Sequence, residues 1–122
     1  MGRPNRDDVV SFLRQFKRAA LGPPERLEIW SAIKNVDGLL QLGINAVMRN
    51  DYLIQLTPED YCEGPKDDDD SSRGGEVWIF GMTIGDQEVY IKLKVVGEEP
   101  FDMAICLSFH PAERPLNYPF RK

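Results

Sequence analysis

The sequence predicts an α+β protein in which N-terminal helices pack on one face of a C-terminal antiparallel sheet. Apolar residues recur at helical spacing between Val9 and Ala20. From residue 76 to residue 110, apolar and polar residues instead alternate, as is typical of half-buried strands. The chain has 122 residues and a hydrophobic content of 42%, which is enough for one core. We therefore predict that residues 1–122 form a single domain.

The first predicted helix begins after Asp7 and Asp8 and ends before Gly22-Pro23-Pro24. Its apolar face consists of Val9, Phe12, Leu13, Phe16 and Ala20. The next segment, residues 27–33 (LEIWSAI), mixes β-branched, aromatic and alanine residues. Its pattern fits a strand or a helix, and both alternatives stay open.

Two short helices are predicted on either side of Gly43, which is a typical helix end, while Asn45 can cap the second of them. Thr57–Asp60 has the pattern of one further helical turn. Residues 64–75 are rich in aspartate and glycine and cannot bury apolar area. We therefore predict an acidic mobile loop at 64–75.

Two strands form a predicted hairpin around Gly85-Asp86, because glycine at the first central position suits a two-residue type II′ turn. The resulting register has one apolar face, with the pairs Ile84–Gln87, Met82–Val89, Phe80–Ile91 and Trp78–Leu93 on successive core positions. The pairs on the other face are Gly81–Tyr90, Ile79–Lys92 and Val77–Lys94.

The third strand, residues 101–110, is predicted to place Met103, Ile105, Leu107 and Phe109 in the core. A five-residue loop after the second strand sets Val96 opposite Asp102. The predicted pairs on the other face are then Tyr90–Ser108, Lys92–Cys106, Lys94–Ala104 and Glu88–His110. Four polar groups converge on one small area of this non-core face: Tyr90, Lys92, Ser108 and His110.

Charge is distributed unevenly along the chain. The formal net charge of −5 argues against a nucleic-acid partner, because phosphate binding normally requires a basic surface. Residues 57–76 carry eight acidic and two basic side chains, however, so this one segment contributes −6 and exceeds the whole net charge. Both termini are basic. The C-terminal tail, residues 111–122, is predicted to be an extended arm that lies over the sheet or contacts RNA or a partner.

Membrane and metal sites are not expected. The sequence has no run of about 18–20 apolar residues and no signal-peptide segment, so we expect a cytoplasmic protein without membrane contact. Cys62 and Cys106 are the only cysteines, too few for a disulfide scaffold or a zinc site. We therefore expect free thiols, no bound metal and no cofactor.

The convergent face could support acid–base chemistry. A tyrosine hydroxyl, a lysine ammonium and an imidazole supply a proton donor, an anion-stabilising cation and a group that titrates near neutral pH. Together they suffice for metal-free RNA cleavage, in which the 2′-OH attacks the neighbouring phosphorus. The same residue types also occur on ordinary sheet surfaces, and the pattern alone favours that interpretation.

Three segments resemble the MqsR-type toxins of bacterial type II toxin–antitoxin systems. They are LTPEDY (residues 56–61), the strand pair VWIF and EVYIKL (77–80 and 88–93) and CLSFH (106–110). The resemblance spans residues 8–110. It implies a RelE-like fold, metal-free cleavage of mRNA without the ribosome, and neutralisation by a cognate antitoxin protein.

The resemblance also implies site residues. Tyr90 and Lys92 match the family's VYxK strand, whose tyrosine belongs to the active-site set. His110 stands where the family's prototype has a catalytic lysine, whereas Glu63 and Ile79 stand near its lysine and glutamine. The resemblance therefore implies that Tyr90, Lys92 and His110 are catalytic.

The leading hypothesis is an endoribonuclease toxin in which Lys92 stabilises phosphate charge. Tyr90 and His110 would share the acid and base roles in either order, and the predicted substrate-binding residues are Lys94, Ser108 and Arg114. The alternative is a non-catalytic interaction module that keeps the RelE-like fold and binds a protein partner through its sheet edge or acidic loop.

Overall fold

The computed structural model of the protein describes residues 4–68 and 74–122. Its elements are α1 (Arg6–Leu21), β1 (Leu27–Ile29), α2 (Ile33–Leu42), α3 (Ala46–Ile54), a 3₁₀ turn (Pro58–Asp60), β2 (Tyr61–Asp67), β3 (Glu76–Ile84), β4 (Gln87–Val96) and β5 (Met103–Pro111). The predicted α+β class is confirmed. No helix within these two ranges is long and apolar enough to cross a membrane.

The start of α1 is a capping box. The Asn5 side chain accepts a hydrogen bond from the Asp8 N–H, and the Asp8 carboxylate accepts one from the Asn5 N–H. The apolar stripe of the helix packs on the sheet, where the Phe12 ring stacks on Trp78 with centroids 4.6 Å apart. All five residues of the predicted apolar face are buried: Val9, Phe12, Leu13, Phe16 and Ala20.

The undecided segment 27–33 divides between a strand and a helix. Its first three residues form β1, and its last residue begins α2. The predicted ends of the next helices are confirmed, since Gly43 ends α2 with a φ of 70° and Asn45 caps α3 through its side chain. The turn at Thr57–Asp60 also forms as predicted.

One five-stranded sheet has the order β1-β5-β4-β3-β2. All neighbouring strands are antiparallel except β1, which runs parallel to β5. The sheet is therefore mixed, and the prediction of an antiparallel sheet is wrong at this edge. Three residues of β1 are too few to show strand alternation in the sequence.

The main core joins the three helices to the sheet. Buried side chains of α1 and α3 contact those of β3, β4 and β5 in one cluster. Its sheet residues include Phe80, Val89, Ile91, Leu93 and Phe109, which were all predicted to face the core. Because burial of apolar area is the main driving force of folding, this cluster fixes where the helices lie.

The predicted β3–β4 hairpin is confirmed pair by pair from its turn to Trp78. The observed pairs include Ile84–Gln87, Met82–Val89, Gly81–Tyr90, Phe80–Ile91, Ile79–Lys92 and Trp78–Leu93. Gly85 has a φ of 64°, as its position in the tight turn requires. The hairpin therefore places Tyr90 and Lys92 on the face away from the main core.

The pairing of β4 with β5 differs from the predicted register. Tyr90 lies opposite His110, and not opposite Ser108 as predicted. Lys92 lies opposite Ser108, and the predicted pair of Glu88 with His110 is wrong. One cause is loop length, because Val96 pairs with Met103 and the connecting loop has six residues where five were predicted.

A β-bulge in β5 is the second cause. The register shifts after the Lys92–Ser108 pair, and Leu107 is the extra residue. Because side chains alternate between the faces of a sheet, one extra residue moves the following positions to opposite faces. The predicted pairs of Lys92 with Cys106 and of Lys94 with Ala104 are wrong. Lys94 lies opposite Ile105 because of the longer loop, and Lys92 lies opposite Ser108 because of the loop and the bulge together.

The bulge also changes which residues of β5 face the main core. Ala104 and Cys106, predicted for the other face, are fully buried in the main core. The predicted core residues Met103, Ile105 and Leu107 lie in a second, smaller cluster, which also contains Trp30, Val77 and Val96. The described residues thus form two apolar clusters where one was predicted.

Asn35 of α2 bonds the backbone of β5 beside this bulge. Its buried amide donates to the Leu107 and Trp30 carbonyl oxygens, each at 2.9 Å, and its oxygen accepts from the Phe109 N–H at 3.0 Å. β1 ends at Ile29, so this side chain supplies edge hydrogen bonds where the strand no longer does. The bonds hold α2 against β5.

The predicted loop at 64–75 begins later than expected. Residues 64–67 belong to β2, and Asp68 is buried against Lys94. This strand was not predicted, because glycine and proline interrupt its alternation. Residues 69–73 of the predicted loop lie outside the described residues.

The C-terminal tail lies over the sheet, which was one of the alternatives predicted for it. The Glu88 carboxylate accepts hydrogen bonds from the Leu116 N–H at 2.9 Å and from the Tyr118 hydroxyl at 3.0 Å. Both residues fill the space above Gly81, where a Cβ would lie 2.5 Å from each of them. Beyond them, Arg121 bonds to Asp60 and so ties the tail to the start of β2.

Candidate functional site

The four convergent residues occupy two neighbouring pairs of the β4–β5 ladder. Tyr90 lies opposite His110, and Lys92 lies opposite Ser108. All four are half-buried. Residues directly opposite in an antiparallel pair have Cβ atoms about 4.5–5.5 Å apart. The corrected register therefore brings tyrosine and histidine closer together than the predicted one.

The rings of Tyr90 and His110 are stacked. Their centroids are 5.5 Å apart with an interplanar angle of 27°. The imidazole Nδ1 lies 3.0 Å from the Pro111 carbonyl oxygen, a contact that favours a proton on this nitrogen. Behind the histidine, a Cβ on Gly38 would lie 2.9 Å from the His110 Cβ, so α2 packs closely against its backbone. The imidazole is therefore held from two sides.

Burial raises the pKa of the Tyr90 hydroxyl, and the negative charges of Glu63 and of the Cys62 thiolate form raise it further. The phenol therefore carries its proton at neutral pH. Tyr90 is suited to donate a hydrogen bond or a proton, and it is unsuited to act as a base.

An open groove of about 590 Å³ runs beside these rings. It is lined by Lys34, Glu63, Tyr90, Ser108, His110 and residues 112–116. An ion pair of Lys34 with Glu113 joins α2 to the tail at the groove. Lys92 is not among the lining residues, but it lies opposite Ser108, which is one of them. The groove thus collects titratable side chains from five different segments.

The tail supplies one wall of the groove and brings Arg114 to it. The exposed guanidinium of Arg114 offers a permanent positive charge to an anionic ligand. The position of this wall depends on Glu88, which accepts hydrogen bonds from the tail at two points. Glu88 therefore positions the tail as a wall of the groove, although Glu88 does not line the groove itself.

Lys94 lies away from the groove. Only 1% of its side chain is exposed, and its Nζ is 2.6 Å from a carboxylate oxygen of Asp68 and 3.2 Å from the Gly74 carbonyl oxygen. An ammonium group in this position has no access to a phosphate. We therefore leave Lys94 out of the site, and the predicted substrate-binding residues that reach the groove are Ser108 and Arg114.

Three residues that line the groove were not predicted as site residues: Lys34, Glu63 and Glu113. Lys34 lies in the first turn of α2, a helix of which only the end at Gly43 was predicted. Glu63 lies in β2, a strand that the sequence did not indicate. Tyr61 was the one residue that could have indicated this strand, because an apolar side chain after a helical turn can begin a strand that packs on the core. Tyr61 is indeed buried.

A different groove, of about 530 Å³, lies between α1 and the sheet. Phe12 and Trp78 line it together with Asp8 and Glu76. It has no histidine and no lysine, so it lacks the acid–base set of the first groove. Within residues 4–68 and 74–122, no three histidine, cysteine or carboxylate side chains are placed to hold a metal ion.

The groove beside Tyr90 and His110 can therefore bind an anion and transfer protons to it. Positive charge comes from Arg114 and Lys92, a proton donor from Tyr90, and an imidazole from His110. Comparisons with protein-family models, curated proteins and solved structures give no match for the chain. The resemblance to MqsR-type toxins and to their RelE-like fold accordingly stays a prediction.

Proposed function

We propose that this protein is a metal-independent endoribonuclease, an mRNA interferase toxin of a type II toxin–antitoxin system. The observation that carries the proposal is the stacked Tyr90–His110 pair in the lining of an open groove. Arg114 in the groove and Lys92 beside it provide the positive charge that a phosphodiester requires.

In the proposed reaction the 2′-OH of one nucleotide attacks the neighbouring phosphorus. Lys92 and Arg114 stabilise the negative charge of the phosphorane, and the Tyr90 hydroxyl donates a hydrogen bond to one of its oxygens. His110 transfers a proton. DNA has no 2′-OH, so the reaction requires RNA.

Three further parts of the proposal rest on the resemblance to MqsR-type toxins. They are a RelE-like arrangement of the helices and the sheet, a cytoplasmic location, and a cognate antitoxin protein as partner. The packing of three helices with the five-stranded sheet supports the first. The exposed apolar side chains of α2 support a protein partner, because such stripes are typical of interaction surfaces.

The experiment that tests the activity is incubation of the purified protein with mixed-sequence RNA in the presence of EDTA. We expect fragments with 5′-hydroxyl and 2′,3′-cyclic phosphate ends. A Tyr90→Phe plus His110→Ala variant should yield none, whereas an Asn117→Ala variant, altered at an exposed tail residue, should cleave like the wild type. Equal cleavage by the double variant would exclude this site.

The second candidate is a non-catalytic interaction module. It is favoured by the exposure of five large apolar side chains within residues 33–48: Ile33, Val36, Leu40, Val47 and Met48. Ile33, Val36 and Leu40 are 53–81% exposed and share one face of α2 through their spacing. A partner that covers this face would explain the apolar stripe without any catalysis.

Expression in bacteria separates the two candidates. A toxin should arrest growth, and coexpression of the product of an adjacent reading frame should restore it. An interaction module should leave growth unchanged. A small adjacent frame that encodes a helix-turn-helix protein would favour the antitoxin pairing, since a DNA-binding antitoxin can also repress its own operon.

A further inference from the structure

We propose that Glu63 is the general base that activates the 2′-OH in this groove, with His110 as the general acid. The inference rests on the proposed endoribonuclease function and adds to it a catalytic residue and a direction of proton transfer.

The position of Glu63 is the first observation that supports its role as the base. It lies on β2 opposite Ile79, whose other neighbour in the sheet is Lys92. Its carboxylate lines the same groove as Tyr90 and His110. A register shift on each side of Glu63 marks β-bulges, which re-aim side chains and are frequent beside active sites.

The carboxylate is also accessible. The Glu63 side chain is 58% exposed, and its Oε1 accepts a hydrogen bond from the Lys66 ammonium at 3.2 Å. Lys66 is itself about half exposed, so this surface ion pair is weak and is easily exchanged for a contact with substrate. The carboxylate oxygens are hydrogen-bond acceptors that a substrate hydroxyl can reach.

The other groove residues fit the remaining roles. Tyr90 holds its proton at neutral pH, because burial and the negative charge of Glu63 raise its pKa, so it cannot serve as the base. Cleavage by this route needs both a base and an acid. If Glu63 takes the proton of the 2′-OH, His110 is free to act in its protonated form as the acid.

The step balances as follows. The 2′-OH proton passes to the Glu63 carboxylate while the 2′ oxygen forms a bond to phosphorus. The bond from phosphorus to the 5′ oxygen breaks, and that oxygen takes a proton from the His110 imidazolium. The products are a 2′,3′-cyclic phosphate and a 5′-hydroxyl, and exchange with water returns the proton from Glu63 to His110.

The charged and titratable groups around Glu63 come from five segments. Lys66 lies on β2 itself, and the groove lining adds Lys34 of α2, Tyr90 of β4, His110 of β5, and Glu113 and Arg114 of the tail. The positive groups offset the repulsion between the Glu63 carboxylate and a bound phosphate. Substrate binding therefore depends on Arg114 and Lys92, whereas Glu63 is needed for the chemical step.

The test is a comparison of Glu63→Gln with Glu99→Gln, which removes the same charge from an exposed loop outside the groove. We expect Glu63→Gln to lower kcat by about 10²–10⁴-fold. KM should stay the same or fall, since the repulsion of the phosphate is removed. The acidic limb of the pH–rate profile, which reports protonation of the base, should disappear only in Glu63→Gln.

The outcomes are distinct. Thermal unfolding by circular dichroism shows whether Glu63→Gln keeps the fold. A folded variant with wild-type kcat and an intact acidic limb would overturn the role of Glu63 and leave the endoribonuclease function standing. No cleavage by the wild-type protein would refute the proposed function and, with it, this inference.

Discussion

Tyr90 and His110 face each other across β4 and β5, with ring centroids 5.5 Å apart. The alternation of apolar and polar residues predicts that both lie on the same side of the sheet. Only the loop length and the bulge at Leu107 determine that they are direct neighbours. Groups that act on one phosphodiester must lie close enough to contact the same phosphate, so this pairing is the basis of the proposed site.

The first prediction concerns His110. A general acid must be protonated, and imidazole groups lose their proton near pH ~6.5 whereas lysine ammonium groups do so near pH ~10.4. In His110→Lys the alkaline limb of the pH–rate profile should therefore move to higher pH, with a lower maximal rate because ammonium is the weaker acid. Initial rates on a fluorogenic RNA, corrected for RNA alone at each pH, measure this. An alkaline limb at its wild-type position would show that His110 is not the acid.

The second prediction concerns the buried ion pair of Lys94 with Asp68. Removing one partner of a buried ion pair costs about 3–5 kcal/mol, because the remaining charge loses the attraction that offset its desolvation. Lys94→Met should therefore lower the free energy of unfolding by that amount in urea titrations. The double variant Lys94→Met plus Asp68→Leu removes both charges and should regain most of the loss. A single variant as stable as the wild type would mean that water reaches this pair.

The third prediction concerns the contact of the tail with Gly81. A Cβ at this position would lie 2.5 Å from Leu116 and Tyr118, so Gly81→Ala should displace the tail from the sheet. Chymotrypsin should then cleave faster after Phe120, whose ring packs against Tyr61 when the tail is in place. Gly97→Ala is the control, because the nearest atom to its Cβ would be 3.9 Å away. Equal cleavage rates in the two variants would show that the tail does not depend on this contact.

The fourth prediction concerns the two cysteines. Burial raises the pKa of both the Cys62 and the Cys106 thiols to about 12. At pH 8 their thiolate fraction is then roughly 10³-fold lower than that of a free cysteine with a pKa of ~8.5, and alkylation by iodoacetamide should slow accordingly. The unfolded protein in urea serves as the reference. Fast labelling of the folded protein would contradict the burial of these thiols.

The raised pKa values of the two thiols also determine how the stability of the protein changes with pH. The folded state keeps the thiol protons that the unfolded state loses near pH ~9, so the stabilising contribution is present below that pH. It should be lost as the pH rises towards 12. Urea titrations at increasing pH should therefore show a falling free energy of unfolding, and the fall should be smaller in Cys62→Ala.

The hairpin of β3 and β4 could be predicted from the sequence because its determinants are local. Gly85-Asp86 sets the turn, and side chains that alternate with period two set the faces. Helix ends such as Gly43 and Asn45 were predictable for the same reason, since each acts within one turn of the chain. By itself, the sequence thus determined the side of the sheet on which Tyr90, Lys92 and His110 lie.

Tertiary structure decided which of these residues meet. Asn35 bonds β5 beside the bulge from 72 residues away, and Asp68 buries Lys94 from 26 residues away. Glu63 reaches the groove only because β2 joins the sheet at its far edge. Contacts between distant parts of the chain produce no periodic pattern in the sequence. They depend on how whole helices and strands pack together, and local spacing does not determine that packing.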